Sequence, residues 1–335
     1  MTLLPAVATF SLGRSSAGHT LFEKLRKAAD HSFRGVEVAY ECLEYHARSL
    51  PGGLNADNLL KAAEQTREEC DRLDLQILCI QPFMFAEGNT QPGDREEVMQ
   101  RFKFWLKLAK LLRTDIIQSP SNFRAQGTTG DMDIIVADMA ELARLAAQQT
   151  PLVKIAWEGV AWGNHIDTWE GTWEVVKRVN MSNLGLCLDT FHIAGRLWAD
   201  PLSPSGRIPD GDKALKESLA RMAAELDVAK VFYVQAGDAE LLDPPLGPEH
   251  ALYVPDQPKR MTWARNSRLF AFETDRGGYL PTTPILDVIV RTLGFQGWLA
   301  MEYFSKDLYD GDETLPQKMA ERAELSWKKI QELYE

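Results

Sequence analysis

Residues 153–189 open on Val153-Lys154-Ile155-Ala156-Trp157-Glu158 and close on Leu184-Gly185-Leu186-Cys187-Leu188-Asp189, with a segment of helical period, Thr168–Val179, between them. A short apolar run, a polar or glycine stop and a longer amphipathic segment make a βα unit. Working outward, the same arrangement recurs along the chain. The apolar runs are Ala6–Ser11, Val36–Tyr40, Gln76–Gln81, Asp115–Ser119, Val153–Glu158, Leu184–Asp189, Lys230–Gln235 and Trp298–Glu302. The amphipathic segments between and after them are Thr20–Ser32, Ala56–Leu73, Arg95–Leu112, Met132–Gln149, Thr168–Val179, Asp212–Leu226, Pro284–Leu293 and Pro316–Leu333. Eight strands alternating with eight helices predict an α/β chain folded as one closed parallel (β/α)8 TIM barrel, a single domain over residues 1–335. A doubly wound sheet would carry a Gly-x-Gly-x-x-Gly or Gly-Lys-Ser/Thr turn near its start, and the early glycines Gly13 and Gly18 fit neither.

Composition agrees with an ordinary globular chain: 335 residues, 45% hydrophobic and 25% charged. The formal net charge of −11 opposes phosphate backbones and anionic lipid heads, and no basic patch reverses it, so nucleic acid is not an expected partner. The apolar runs fall short of the roughly 18 to 20 residues of a membrane span. The N-terminus has no basic leader before its first strand. A cytoplasmic enzyme with no membrane partner is the expectation. The cysteines Cys42, Cys70, Cys79 and Cys187 are scattered, without zinc-site spacing, and are expected to be free core or surface residues.

The spacing breaks once, after Gln235, where roughly 45 residues intervene before the next predicted helix, a long connection by ordinary standards. This long loop between the seventh strand and the seventh helix holds Pro244, Pro245, Pro248, Pro255 and Pro258, then the basic stretch Lys259–Arg268. Because it follows a strand, it lies on the C-terminal rim of a barrel, where such loops cover active sites and an arginine can hold an anionic group.

Four consecutive strands each finish on an oxygen ligand: Glu158, Asp189, Gln235 and Glu302. Their ends converge on one mouth of a barrel. One acidic strand end is commonly a helix cap or an ion-pair partner. Three carboxylates together repel and raise one another's pKa unless a cation neutralises them. With an amide oxygen they suit a hard octahedral ion such as Mg²⁺ or Mn²⁺. His192, three residues beyond Asp189, falls on the first turn after the strand and points into the same mouth, as a supporting group, a ligand or a proton carrier. With Gln235 in the fourth ligand place, proton carrier is the expected role.

These residues resemble the xylose-isomerase-like TIM-barrel superfamily of sugar isomerases, epimerases and related enzymes, and more narrowly the fungal type of 3-dehydroshikimate dehydratase, a lyase of quinate and shikimate catabolism. The resemblance runs through Ala8-Thr9-Phe10-Ser11-Leu12-Gly13-Arg14, Ala17-Gly18-His19-Thr20, Gln81-Pro82-Phe83, Pro120-Ser121-Asn122-Phe123 and Trp157-Glu158-Gly159-Val160-Ala161-Trp162-Gly163. It continues through Asp189-Thr190-Phe191-His192-Ile193, Met261-Thr262-Trp263-Ala264-Arg265-Asn266, Asp275-Arg276-Gly277-Gly278-Tyr279 and Gly294-Phe295-Gln296-Gly297-Trp298. It implies a divalent cation (Mg²⁺, Mn²⁺ or Co²⁺) on Glu158, Asp189, Gln235 and Glu302, catalytic roles for His192 and Glu158, and substrate contacts from Arg265, Trp162 and Gln81. Some bacterial members place an arginine just after the Gln-Pro-Phe turn, where this chain has Met84. Arg265, Arg14 and Arg268 are the remaining partners for a substrate carboxylate.

The resemblance implies conversion of 3-dehydroshikimate to protocatechuate. The hydrogen on C4 lies next to the 3-keto group, so its removal gives an enediolate, a step expected of His192; loss of the 5-hydroxyl and tautomerisation then give the aromatic product. The alternative is a metal-dependent sugar isomerase or epimerase on the same scaffold, distinguished by a neutral rather than a carboxylate substrate. A DNA-repair endonuclease of this superfamily would need several strand-end histidines, and the chain has six histidines in all, few of them so placed. A non-catalytic binding protein would have no need of His192.

Overall fold

Parallel strands buried on both faces read as continuous apolar runs, and those runs become the staves of the barrel. A computed structural model describes residues 2–334. The strands are β1 (Leu3–Ala8), β2 (Gly35–Ala39), β3 (Gln76–Gln81), β4 (Ile116–Pro120), β5 (Lys154–Glu158), β6 (Leu184–Asp189), β7 (Val231–Ala239), β8 (Arg268–Phe270) and β9 (Gly297–Met301). All but β8 are parallel and pair in the order β1-β2-β3-β4-β5-β6-β7-β9, and β9 closes the barrel onto β1. The helices are α1 (Leu21–Asp30), α2 (Tyr40–Ser49), α3 (Ala56–Arg72), α4 (Asp94–Leu112), α5 (Met132–Ala147), α6 (Trp169–Val179), α7 (Thr190–Leu197), α8 (Gly211–Glu225), α9 (Lys259–Ser267), α10 (Thr282–Leu286) and α11 (Leu315–Tyr334).

The main core lies between strands and helices, where Leu25, Phe102, Trp157, Val176 and Ile330 are buried. Inside the barrel a smaller cluster takes Ala6, Cys79, Ala156, Cys187, Tyr233 and Ala300 from six strands. Small side chains on five of those strands leave room for the Tyr233 ring. Helix starts follow local chemistry: Thr20, Asn55, Asp131 and Thr168 each accept a backbone N–H of the first turn of α1, α3, α5 and α6, contacts worth about 1 kcal/mol each.

Three expectations are corrected. The first run was expected to be strand to Ser11, but Thr9–Leu12 is a 3₁₀ turn. The Thr9 hydroxyl accepts the Ala39 N–H and the Ser11 hydroxyl donates to the Tyr303 carbonyl, so this turn stitches neighbouring rims together. Second, the basic stretch Lys259–Arg268 is not loop: it forms α9 and begins β8, which doubles back antiparallel on β7 with Arg268 opposite Ala239. Third, α2 and α7 form between strands and the expected helices, and the predicted Pro284–Leu293 helix is α10 followed by a π-helical stretch, Asp287–Thr292. All four cysteines are buried and free. Among the described residues no helix is long and apolar enough to cross a membrane.

Candidate active site

Strand register brings the expected residues to one end. Asp189 pairs with Gln235, Pro120 with Glu158, and Ala236 with Met301, one residue before Glu302. All four strand-end residues are buried, at 5% exposure or less. They meet at the C-terminal mouth, the active-site face of this architecture.

Asp189 does two things at once. Its Oδ1 accepts the Phe191 N–H at 2.8 Å, which caps α7, and this cap swings His192 back over the mouth. His192 Nε2 then lies 3.6 Å from both Glu158 Oε1 and Asp189 Oδ2. One ligand atom each from Glu158, Asp189 and His192 fall within 4.8 Å of one another. These approaches place one imidazole nitrogen between two buried carboxylates.

The His192 ring is not presented as a ligand or as a base, however. Its Nδ1 accepts the Ala161 N–H at 3.1 Å. The lone pair is therefore on Nδ1 and the neutral ring carries its proton on Nε2, facing the carboxylates; a histidine ligated through Nε2 would instead donate from Nδ1. Burial pushes its pKa down to about 4, partly offset by Asp189. The acceptor role expected from the sequence does not fit this orientation. A donor role does.

Gln235 also differs in orientation. Its Nε2 donates to Glu302 Oε1 at 2.9 Å and to Glu37 Oε2 at 3.0 Å, while its Oε1 lies 3.2 Å from Cys187 Sγ. The nitrogen end of the amide, the end that suits bare carboxylates, is turned toward them. Gln81 repeats the pattern, donating to Glu37 at 3.2 Å and Glu302 at 3.4 Å, which puts it on the floor of the site.

The sequence reading missed Glu37 and Gln118. Glu37 is fully buried and accepts from Gln235, Gln81 and, at 2.9 Å, the Tyr233 hydroxyl. Gln118 donates to Glu158 Oε2 at 2.6 Å, leaving Glu158 Oε1 without a hydrogen-bond partner. The available signal was a charged or amide side chain inside a run whose every residue is buried. Burial raises the pKa of Glu37 to about 7 and of Glu302 to about 8, and holds Glu158 well above the carboxylate range, with Asp189 and Glu302 adding repulsion at Glu158. Four clustered carboxylates with one orphaned oxygen are the donor set expected for a divalent cation.

Above this floor opens a cavity of about 490 Å³. Trp162 walls it, edge-on to His192 with centroids 4.9 Å apart. Of the three candidate arginines, Arg14 is paired with Glu41 and Arg268 with Asp189 and Glu302. Arg265, exposed on α9 and lining the cavity, has no carboxylate partner among the described residues. Met84 lines the cavity at the turn after Gln81, and Arg101 binds its carbonyl from behind.

Comparison with known proteins agrees with the barrel fold. A family described as "Xylose isomerase-like TIM barrel" matches residues 25–329. The 3-dehydroshikimate dehydratase of Neurospora crassa is 40% identical over 332 residues, covering 97% of this chain and 92% of that protein. The Pseudomonas aeruginosa enzyme of the same name is 30% identical over 92% of this chain, which spans 39% of that longer protein. Among solved structures, the IOLI protein with a binding zinc atom shares the fold at TM-score 0.72, with 18% identity over 99% of both chains. The chain belongs to the xylose isomerase-like TIM-barrel family and, within it, to the 3-dehydroshikimate dehydratases.

Proposed function

We propose that the protein is a hydro-lyase that converts 3-dehydroshikimate to protocatechuate and water with a divalent cation as cofactor. The near full-length likeness to the Neurospora crassa dehydratase carries the reaction. The site supports it with an unpaired Arg265 above a floor of carboxylates. Glu158, Asp189 and Glu302, with Gln235 as the amide member, are the residues that would hold the cation; the orphaned Glu158 Oε1 and the raised carboxylate pKa values support that assignment. When bound, the cation supplies Lewis-acid stabilisation of negative charge developing on the substrate's keto and hydroxyl oxygens.

The chain's own groups do the rest. Arg265 pairs with the substrate carboxylate and so sets which end of the ring enters first. Trp162 flanks the ring and excludes water. Glu158, which would hold the cation through Oε1, takes the C4 proton on Oε2, the oxygen that Gln118 fixes in place. Glu158 then returns this proton to the departing 5-hydroxyl, to which the neutral His192 ring donates a hydrogen bond from Nε2, and the hydroxyl leaves as water. The resulting dienone loses a C6 proton and gains one on the 3-oxygen, which gives the catechol ring of protocatechuate. A neutral ketose would leave Arg265 without a partner, which disfavours an epimerase on this site.

The test is a protocatechuate absorbance assay on protein stripped with chelator and resupplied separately with Mg²⁺, Mn²⁺ or Co²⁺. Product should form only after resupply. No product with any of the three ions would refute the reading.

A further inference from the structure

Arg268 stands inside the carboxylate cluster. Its side chain is only 2% exposed, its Nη2 lies 2.6 Å from Asp189 Oδ2, and its Nη1 lies 2.7 Å from Glu302 Oε2. Among the described residues its Nε has no hydrogen-bond partner and these two carboxylates are the only polar groups that hold the guanidinium. The Phe191 ring lies under it at 4.9 Å. Gly237 leaves room for it: a Cβ there would fall 2.8 Å from the Arg268 Nε. The group arrives because β8 folds back on β7, so the long connection after β7 delivers a positive charge to the point where four buried carboxylates meet.

Glu302 has no oxygen left over. Oε2 is bonded to Arg268, and Oε1 accepts from Gln235 and Gln81. The close group of Glu158, Asp189 and His192 forms without it. For Glu302 to join a bound cation, an existing partner has to yield, and the partner that like charge repels is the guanidinium.

We propose that Arg268 is a built-in counter-cation of the site: it neutralises Asp189 and Glu302 while no divalent cation is bound, keeps the barrel mouth folded in that state, and competes with the cation for Glu302. This rests on the reading that the site takes a divalent cation. A buried carboxylate pair stripped of its only cation is strongly destabilising, so the metal-free protein is where Arg268 matters most. The cation then binds by exchange for a protein charge, which makes its affinity lower than the same ligands alone would give.

Arg268→Gln and Arg268→Lys test this by Mn²⁺ titration and by thermal melting in chelator, neither of which reads activity. Arg268→Gln should bind Mn²⁺ at least about tenfold more tightly than wild type, since a unit positive charge has left a low-dielectric site. Its metal-free form should melt several degrees lower, with Mn²⁺ restoring the difference. Arg268→Lys, which keeps the charge but only one of the two contacts, should fall between the two on both readouts, and it decides the matter if Arg268→Gln does not fold. Mn²⁺ affinity equal to or weaker than wild type in the variants, or metal-free melting unchanged, would overturn the proposal while leaving the metal site intact. Wild-type protein that binds no Mn²⁺ would overturn both.

Discussion

The Ala161 N–H points at Nδ1 of His192, 3.1 Å away, so the ring's proton sits on Nε2 above Glu158 and Asp189. Nitrogen-15 NMR of the imidazole should show the neutral Nε2–H tautomer and no titration between about pH 6 and 8, because burial has lowered the pKa to about 4. His192→Ala should lose about 10²- to 10³-fold in kcat, the usual cost of removing a hydrogen-bond donor aimed at developing charge, with bound metal unchanged. An Nδ1–H signal, or metal lost with the side chain, would make His192 a ligand instead.

Asp189→Ala and Glu302→Ala each remove a carboxylate from a cluster that already lacks enough positive charge. Both should abolish stoichiometric metal binding and turnover. Gln235→Ala removes an amide rather than a charge and should weaken metal affinity by about 10- to 100-fold. Equilibrium dialysis with metal analysis separates the three.

Arg265 carries the contact that distinguishes a carboxylate substrate from a neutral sugar. Arg265→Ala should raise KM about 10- to 100-fold, as expected for losing a charge-assisted pair worth about 1.5–3 kcal/mol, with a smaller change in kcat. Arg14→Ala, whose partner is Glu41, should change KM far less. The reverse ranking in steady-state kinetics would move the carboxylate to Arg14.

Glu87 lies outside the proposed ligand set. It is 2% exposed, its Oε1 accepts the Asn122 N–H at 2.6 Å, and its Oε2 has no partner. Burial raises its pKa from 4.5 to about 7. The folded protein thus holds a proton that the unfolded chain releases between those values. Its contribution is complete below pH 4.5 and is lost as pH rises through about 7. Glu87→Gln mimics the protonated form. In denaturant unfolding at pH 8 it should be more stable than wild type by about 1–3 kcal/mol, with little difference at pH 4.5. Equal stability at pH 8 would contradict the buried-acid account.

The sequence was most legible where chemistry coincides with an element boundary. Glu158, Asp189 and Glu302 each end an apolar run, and His192 follows Asp189 at a spacing that the α7 cap fixes. Glu37 and Gln118 escaped notice because they sit within runs, where alternation is masked by burial on both faces. α9 read as loop because four of its five buried residues, Met261 to Ala264, are consecutive and form no apolar stripe, and prolines precede it. The place of Arg268 depends on an antiparallel pairing across some thirty residues of intervening chain, a register that no local pattern encodes. The orientations of Gln235 and His192 were equally out of reach, since they are set by Glu37, Glu302 and Ala161 from other strands and loops.

Proton NMR of the metal-loaded protein with 3-dehydroshikimate and, separately, with a ketohexose tests the central claim most directly. The account predicts the aromatic protons of protocatechuate from the first and no epimerised sugar from the second. Epimerisation of the ketohexose with 3-dehydroshikimate left unchanged would contradict it.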